Sequence, residues 1–334
     1  VVKSLGEGMM RAFVLSGGGN RGPLEVGALQ VLLERGIVPD MLVGTSAGAI
    51  NAAFLAIDPS PDTARDLGHI WLKANEEGVF RRHRLTMLWR FMSGKDSLQS
   101  NEGFRRHVER SLPPEMQRFA DIQAARLFIV ATRLDTGEAR VFGHDPQERL
   151  LDAIMASTAL PPFFPPWACG DELLIDGGIS ADLPVSIAVA EGAREIYALH
   201  LVDAPQGGRQ MRGLLSIAEQ AINTVLSRQL QMELRESENI KGVTLHYVPL
   251  TGYYGFPLWD LSHAQEMIDE GRRQMEEYLQ APRGVATSER LSWPRAALRG
   301  ALQRLRRGWS RTPGKRRIPR HHAGPLSGPV GSRS

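Results

Sequence analysis

From residue 12 onward the chain alternates between short, continuous apolar runs and longer stretches in which apolar residues return every three or four positions. The run "AFVLS" (12–16) ends on glycines and reads as a buried strand. Pro23 then stands where a first helical turn tolerates proline. Leu24, Ala28, Val31 and Leu32 recur at helical spacing, and Gly36 suits a helix C-terminus. A second apolar run, 41–44, is followed by the helical "TSAGAINAAFLAI". Strand–turn–helix thus occurs twice within sixty residues, and a helix crossing between two strands implies a parallel pair. Residues 61–120 read as amphipathic helix. Further strands are expected at 127–134, 139–143, 172–178, 194–202 and 243–250, and helices at 149–158, 214–238 and 261–279. The alternation argues for an α/β domain with a largely parallel sheet over about residues 10–282, with no internal repeat.

The uncharged run 41–57 is 17 residues long, short of the ~20 that cross a bilayer, and carries Thr45, Ser46 and Asn51. Buried strand plus buried helix is the expectation. Composition agrees with a globular protein: 334 residues, 42% apolar and 23% charged. A single cysteine, Cys169, excludes an internal disulfide framework and suits a reducing compartment. The opening "VVKSLGEGMMRAFVLS" lacks an apolar h-region with a cleavage site, so no secretory signal is expected and a cytoplasmic location is. Charge splits the chain. Residues 283–334 hold 13 Lys and Arg against one acid, Glu289, which leaves the remainder net acidic despite the overall +3. A Pro- and Arg-rich segment of this kind cannot bury a core, so a basic, partly disordered tail is expected beyond the 1–282 domain.

Gly17, Gly19 and Gly22 spell G-x-G-x-x-G, the outline of a dinucleotide site. Such a site needs an acid ending the second strand, and Asp40 precedes that strand instead. What ends it is "GTSAG" (44–48), a G-x-S-x-G pattern with strand before and helix after. That is the context of a nucleophile elbow, in which a sharp turn presents Ser46 at the sheet edge and at a helix N-terminus. Gly44 and Gly48 leave room for the turn. Gly17, Gly18 and Gly19 follow the neighbouring strand and reach the same edge. They can offer backbone N–H groups to a developing oxyanion.

Two bases are open for Ser46. An α/β-hydrolase order could combine Asp176 with His246 or His263, although that fold places more strands before its nucleophile. Alternatively Asp176, in "LLIDGG", ends a strand ahead of two glycines, Gly177 and Gly178, and could accept the Ser46 proton directly.

"GGGNRG", "GTSAG" and "DGG", in this order, resemble the three motifs of the patatin-like phospholipase family. "ASTALPPFFPP" and "DGGISADLP" resemble its intervening stretch and its continuation, with Asp182 where asparagine is usual. The likeness is close over residues 12–200. It implies a three-layer α/β/α sandwich and a Ser46–Asp176 dyad that hydrolyses lipid acyl esters without metal or nucleotide. In it Gly17, Gly18 and Gly19 form the oxyanion loop, and Arg21 and Gly22 match the family's basic motif. A catalytically silent lipid-binding module is the competing class. Leu85, Leu88, Trp89 and Met92, or the aromatic loop 253–259, are candidates to line an acyl channel. In the tail, Leu298, Leu302, Leu305 and Trp309 recur at helical spacing beside Arg295, Arg299 and Arg306, which suits an anionic membrane surface. No motif supports binding of nucleic acid.

Overall fold

The structure, a computed structural model, describes residues 9–79, 99–202, 242–254 and 260–280, together with Ser93, Ser97 and Phe256. The expected helix at 214–238, the 85–92 face, part of the 253–259 loop and the basic tail lie outside the described residues. Those described fall within one compact unit, Val1–Thr287.

Eight strands form one sheet: β1 (Arg11–Leu15), β2 (Met41–Thr45), β3 (Arg126–Arg133), β4 (Ala139–Phe142), β5 (Trp167–Cys169), β6 (Glu172–Asp176), β7 (Glu195–Leu201) and β8 (Thr244–Leu250). The order is β5-β6-β3-β2-β1-β7-β8, with β4 also paired to β3. The pairs β3–β2, β2–β1, β1–β7 and β7–β8 are parallel, as the crossover pattern predicts. The β4, β5 and β6 pairings are antiparallel.

Residues alternate between two cores, as a strand's period of two requires. Phe13 and Leu15 of β1, Leu42 of β2 and Leu127 and Ile129 of β3 face the larger core. This core is shared with α1 (Gly22–Glu34), α2 (Ala47–Ile57), α3 (Pro61–Glu76), α4 (Glu102–Ser111) and α5 (Leu150–Ser157). Ala12, Val14, Met41, Val43, Phe128 and Val130 face the other side, where α6 (Val185–Ala190) packs. Helices on both faces of a mixed, mostly parallel sheet make the α/β/α sandwich.

The helix α1 departs from its expected one-sided pattern. Every residue from Gly22 to Leu33 is buried. One side lies toward the sheet, and α7 (Ala264–Gln280) and α3 pack against it as well. Glycine permits the closest approach: a Cβ at Gly27 would stand 2.0 Å from the Ile268 carbonyl oxygen, and one at Gly271 2.0 Å from that of Leu24. By contrast α3 keeps an ordinary apolar stripe, Ala64, Leu67, Gly68, Trp71 and Ala74, under a Ser60 cap whose Oγ accepts the Thr63 N–H.

One register relation positions the site. On β3, β2 pairs residues 126–130 and β4 pairs 129–132, so these two lie on opposite edges. The pairing of β6 with 131–133 overlaps β4 and therefore uses the β2 edge. β2 and β6 thus run toward each other along one edge of β3. Thr45 stands opposite Val130 and Asp176 opposite Ala131, so the two strands meet end to end. Asp176 was expected at the end of a strand, and it is. The approach is antiparallel, which a mainly parallel reading of the sheet does not contain.

Candidate active site

The chain leaves β2 through Ser46 and enters α2 at Ala47. Ser46 has φ 52° and ψ −117°, a left-handed conformation that costs a non-glycine residue about 1–3 kcal/mol. Such strain persists only where the surroundings impose it. Gly44 and Gly48 let them do so: a Cβ on Gly44 would meet the Gly48 carbonyl oxygen at 2.3 Å, and one on Gly48 the Leu15 carbonyl oxygen at 2.4 Å. The Ser46 N–H donates to Ser157 Oγ (2.8 Å), whose own hydroxyl donates to the Val130 carbonyl (2.5 Å). Ser157 thus braces the elbow from the end of α5. Its place in the apolar, helical "LLDAIMAS" gave no sequence signal for that task.

The Ser46 Oγ donates to Asp176 Oδ2 at 2.7 Å. Asp176 is buried, and its other oxygen accepts the Gly178 N–H at 2.8 Å. Gly177 closes the turn by accepting from the Ser180 and Ala181 N–H groups. Burial pushes the Asp176 carboxyl up to about 6, and the hydrogen bonds from Ser46 and Gly178 hold it from rising further. The group is therefore ionised at neutral pH and basic enough to receive a proton.

The histidines of the α/β-hydrolase alternative are engaged elsewhere. His246 stacks on Tyr197 and faces Glu195 at 3.6 Å, by the first residues of β7 and β8. His263 pairs with Glu266. His200 is buried against the Tyr247 hydroxyl (2.7 Å), and burial lowers its pKa to about 4. Asp40, the acid that a dinucleotide site would borrow, accepts the Arg11 N–H at 2.8 Å beside the first residue of β1. It lies at the opposite end of the strands from Ser46.

The glycine loop lies beside the serine. A Cβ on Gly17 would come within 3.5 Å of Ser46 Cβ. Its three N–H groups are not equivalent, which corrects the expectation that all three serve one purpose. Gly17 N–H donates to the Asp182 carbonyl (3.1 Å), whereas Gly18 and Gly19 N–H have no partner among the described residues. Gly19 has φ +58° and opens a short 3-10 turn, Gly19–Arg21, that leads into α1. Arg21 is buried and donates to the Val202 carbonyl at 2.5 Å, pinning this turn to the end of β7. The Gly22 carbonyl accepts from Asn51 Nδ2 at 3.1 Å. Asp182, at the position where asparagine is usual, lies against the loop, since a Cβ on Gly17 would sit 2.6 Å from its Oδ1.

Of the two stretches considered for an acyl channel, the aromatic loop is described in part. Tyr254 and Phe256 are exposed, and Phe256 lies 4.5 Å from the His263 ring.

The family model for patatin-like phospholipases matches residues 13–189. Among curated proteins, the chain is 30% identical over 193 residues to the human Patatin-like phospholipase domain-containing protein 6, covering 56% of this chain and 13% of that protein. It is 28% identical over 196 residues to Lysophospholipase NTE1 of Mycosarcoma maydis, covering 58% and 10% respectively. The match spans only about a tenth of the length of these relatives. Among solved structures, VipD from Legionella pneumophila aligns with a TM-score of 0.43 and 15% identity, over 82% of this chain and 67% of that one.

Proposed function

The chain belongs to the patatin-like phospholipase family, and on that premise we propose that it is a serine acyl hydrolase that cleaves an ester bond of a lipid through a Ser46–Asp176 dyad. The observation that carries the reading is the 2.7 Å hydrogen bond from the strained, helix-initiating Ser46 to a buried carboxylate. Ser46 Oγ attacks the acyl carbonyl while Asp176 Oδ2 takes its proton. The Gly18 and Gly19 N–H groups and the positive end of α2 stabilise the oxyanion. Collapse of the tetrahedral intermediate expels the alcohol, which recovers the proton from Asp176. Water then attacks the acyl–Ser46 ester with Asp176 again as base, and the fatty acid leaves as Asp176 returns that proton to Ser46 Oγ. Every group that moves a proton belongs to the dyad.

A phospholipid or lysophospholipid is the substrate class we assign. The family's description and the lysophospholipase among the relatives support it. A lipid ester is met at an interface, and the exposed Tyr254 and Phe256 offer aromatic contact there. The basic segment 283–334 would add attraction to anionic headgroups. We accordingly propose a cytoplasmic enzyme that attaches peripherally to membranes. Deleting 283–334 should weaken sedimentation with anionic vesicles at low salt and spare hydrolysis of a soluble short-chain ester.

Covalent labelling by a fluorophosphonate probe tests the chemistry itself. Labelling is expected at Ser46. Ser46→Ala should abolish both labelling and phospholipid hydrolysis, a loss of ~10⁴-fold or more. Modification at another serine would refute the assignment, and a folded, unlabelled wild type would favour the silent lipid-binding class.

A further inference from the structure

Glu25 is the one fully buried carboxyl besides Asp176 among the described residues, and the dyad does not use it. It lies in the first turn of α1. Its Oε1 accepts the Ser16 N–H at 2.9 Å, and its Oε2 accepts Asn51 Nδ2 at 2.8 Å. The second Asn51 N–H goes to the Gly22 carbonyl, and Asn51 Oδ1 accepts Trp71 Nε1 at 2.9 Å. The amide orientation of Asn51 is therefore dictated by its neighbours. Both groups facing Glu25 are donors. Only a side chain with two acceptors satisfies them, which explains a carboxylate where glutamine would be cheaper to bury. Burial does push its carboxyl well above the usual range, against the pull of the Asn51 and Ser16 hydrogen bonds.

What Glu25 holds is the root of the glycine loop. Ser16 immediately precedes Gly17. Its carbonyl accepts the Gly48 N–H (3.1 Å) of the elbow, its Oγ donates to the Gly17 carbonyl and accepts the Leu201 N–H, and its N–H is shared between Leu199 and Glu25. Asn51, the other partner, stands on α2 five residues after Ser46. The loop and the nucleophile come from different strand–helix units, and Glu25 bonds to both.

We propose that Glu25 is a positioning residue that, through Ser16 and Asn51, holds the Gly18 and Gly19 N–H donors in register with Ser46. This rests on the Ser46–Asp176 reading. A loop that slips relative to Ser46 still lets ester bind but stabilises the oxyanion less well, so the loss falls on kcat and not on KM.

The test uses the full chain, a soluble short-chain ester and a fluorophosphonate. Glu25→Gln turns one acceptor toward the Asn51 amide into a donor. It should lower kcat and the Ser46 labelling rate about 10- to 100-fold with KM within twofold. Leu32→Ala, in the same helix, provides a comparison for simple destabilisation: its Tm falls while kcat per folded enzyme holds. Should Glu25→Gln yield no folded protein, Glu25→Asp keeps both acceptors and shortens the reach by one methylene. It should show a smaller loss, again confined to kcat. A kcat within twofold of wild type in folded Glu25→Gln or Glu25→Asp overturns the proposal. A wild type that does not label at Ser46 overturns the dyad instead, and the proposal with it.

Discussion

The two ends of the central strands carry acids in opposite circumstances. Where β1, β3 and β7 begin, acids face partners of the other sign. Arg11 bonds Glu195 at 2.8 Å and, through its N–H, Asp40, while Arg126 meets Glu191 at 2.5 Å. These groups keep partial contact with water, and their bonds tie β1 to β7 and β3 to the end of α6. Where β2 and β6 end, Asp176 is buried, and its carboxyl's partners among the described residues are one hydroxyl and one N–H, beside a serine in a strained conformation. No cation among the described residues pairs with it. A paired, half-solvated acid is content in one protonation state, whereas a buried acid answered by neutral donors is left with a proton affinity it can use.

Substitutions should separate the two ends in the same way. The largest effect is expected from Asp176→Asn, which keeps shape and removes the proton acceptor. The rate should fall at least ~10²-fold on a soluble ester, while His246→Ala and His263→Ala stay within twofold. A histidine variant as slow as Asp176→Asn would restore the triad alternative. The same Asp176→Asn protein should be more stable than wild type at pH 8. With its folded pKa raised to about 6, Asp176 binds protons more readily when folded, so wild-type stability falls as pH rises from about 4 through 6. Removing the ionisable group abolishes that loss, which is up to about 3 kcal/mol. Thermal unfolding of both proteins at pH 8 and at acid pH checks this, and the gap should close at the lower pH.

Below that folded pKa wild-type Asp176 is protonated. The kcat/KM for a soluble ester should therefore drop about tenfold per pH unit below 6 and level off above it. A flat profile down to pH 5 would mean that Asp176 is not the base. The smallest effect belongs to the opposite end. Arg11→Ala removes an ion pair whose side chains are 30% and 19% exposed, and should cost about 1 kcal/mol by denaturant titration with kcat unchanged. Activity lost in proportion to stability there would erase the distinction between the two ends.

The sequence by itself determined whatever depends on neighbours along the chain. The periods of two and 3.6, Pro23 in a first turn, Gly44 and Gly48 around Ser46, and glycines after Asp176 are local devices. They place a strand, a turn and a helix correctly because backbone sterics act within a few residues. The short β5 and α6 escaped, being too brief to show a period. Three decisions belonged to the tertiary structure alone. The first is the head-on meeting of β2 and β6 on one edge of β3, which brings Ser46 to a carboxyl 130 residues away. The second is the engagement of the Gly17 N–H by Asp182, which leaves two loop donors out of three. The third is the partnership of Glu25 with Asn51, both of which sit inside helical patterns as if they were ordinary polar positions. Each depends on which edge, face or carbonyl a distant segment reaches. A hydrogen bond is short-ranged in space and indifferent to separation along the chain, so these pairings exist only once the sheet has closed its order.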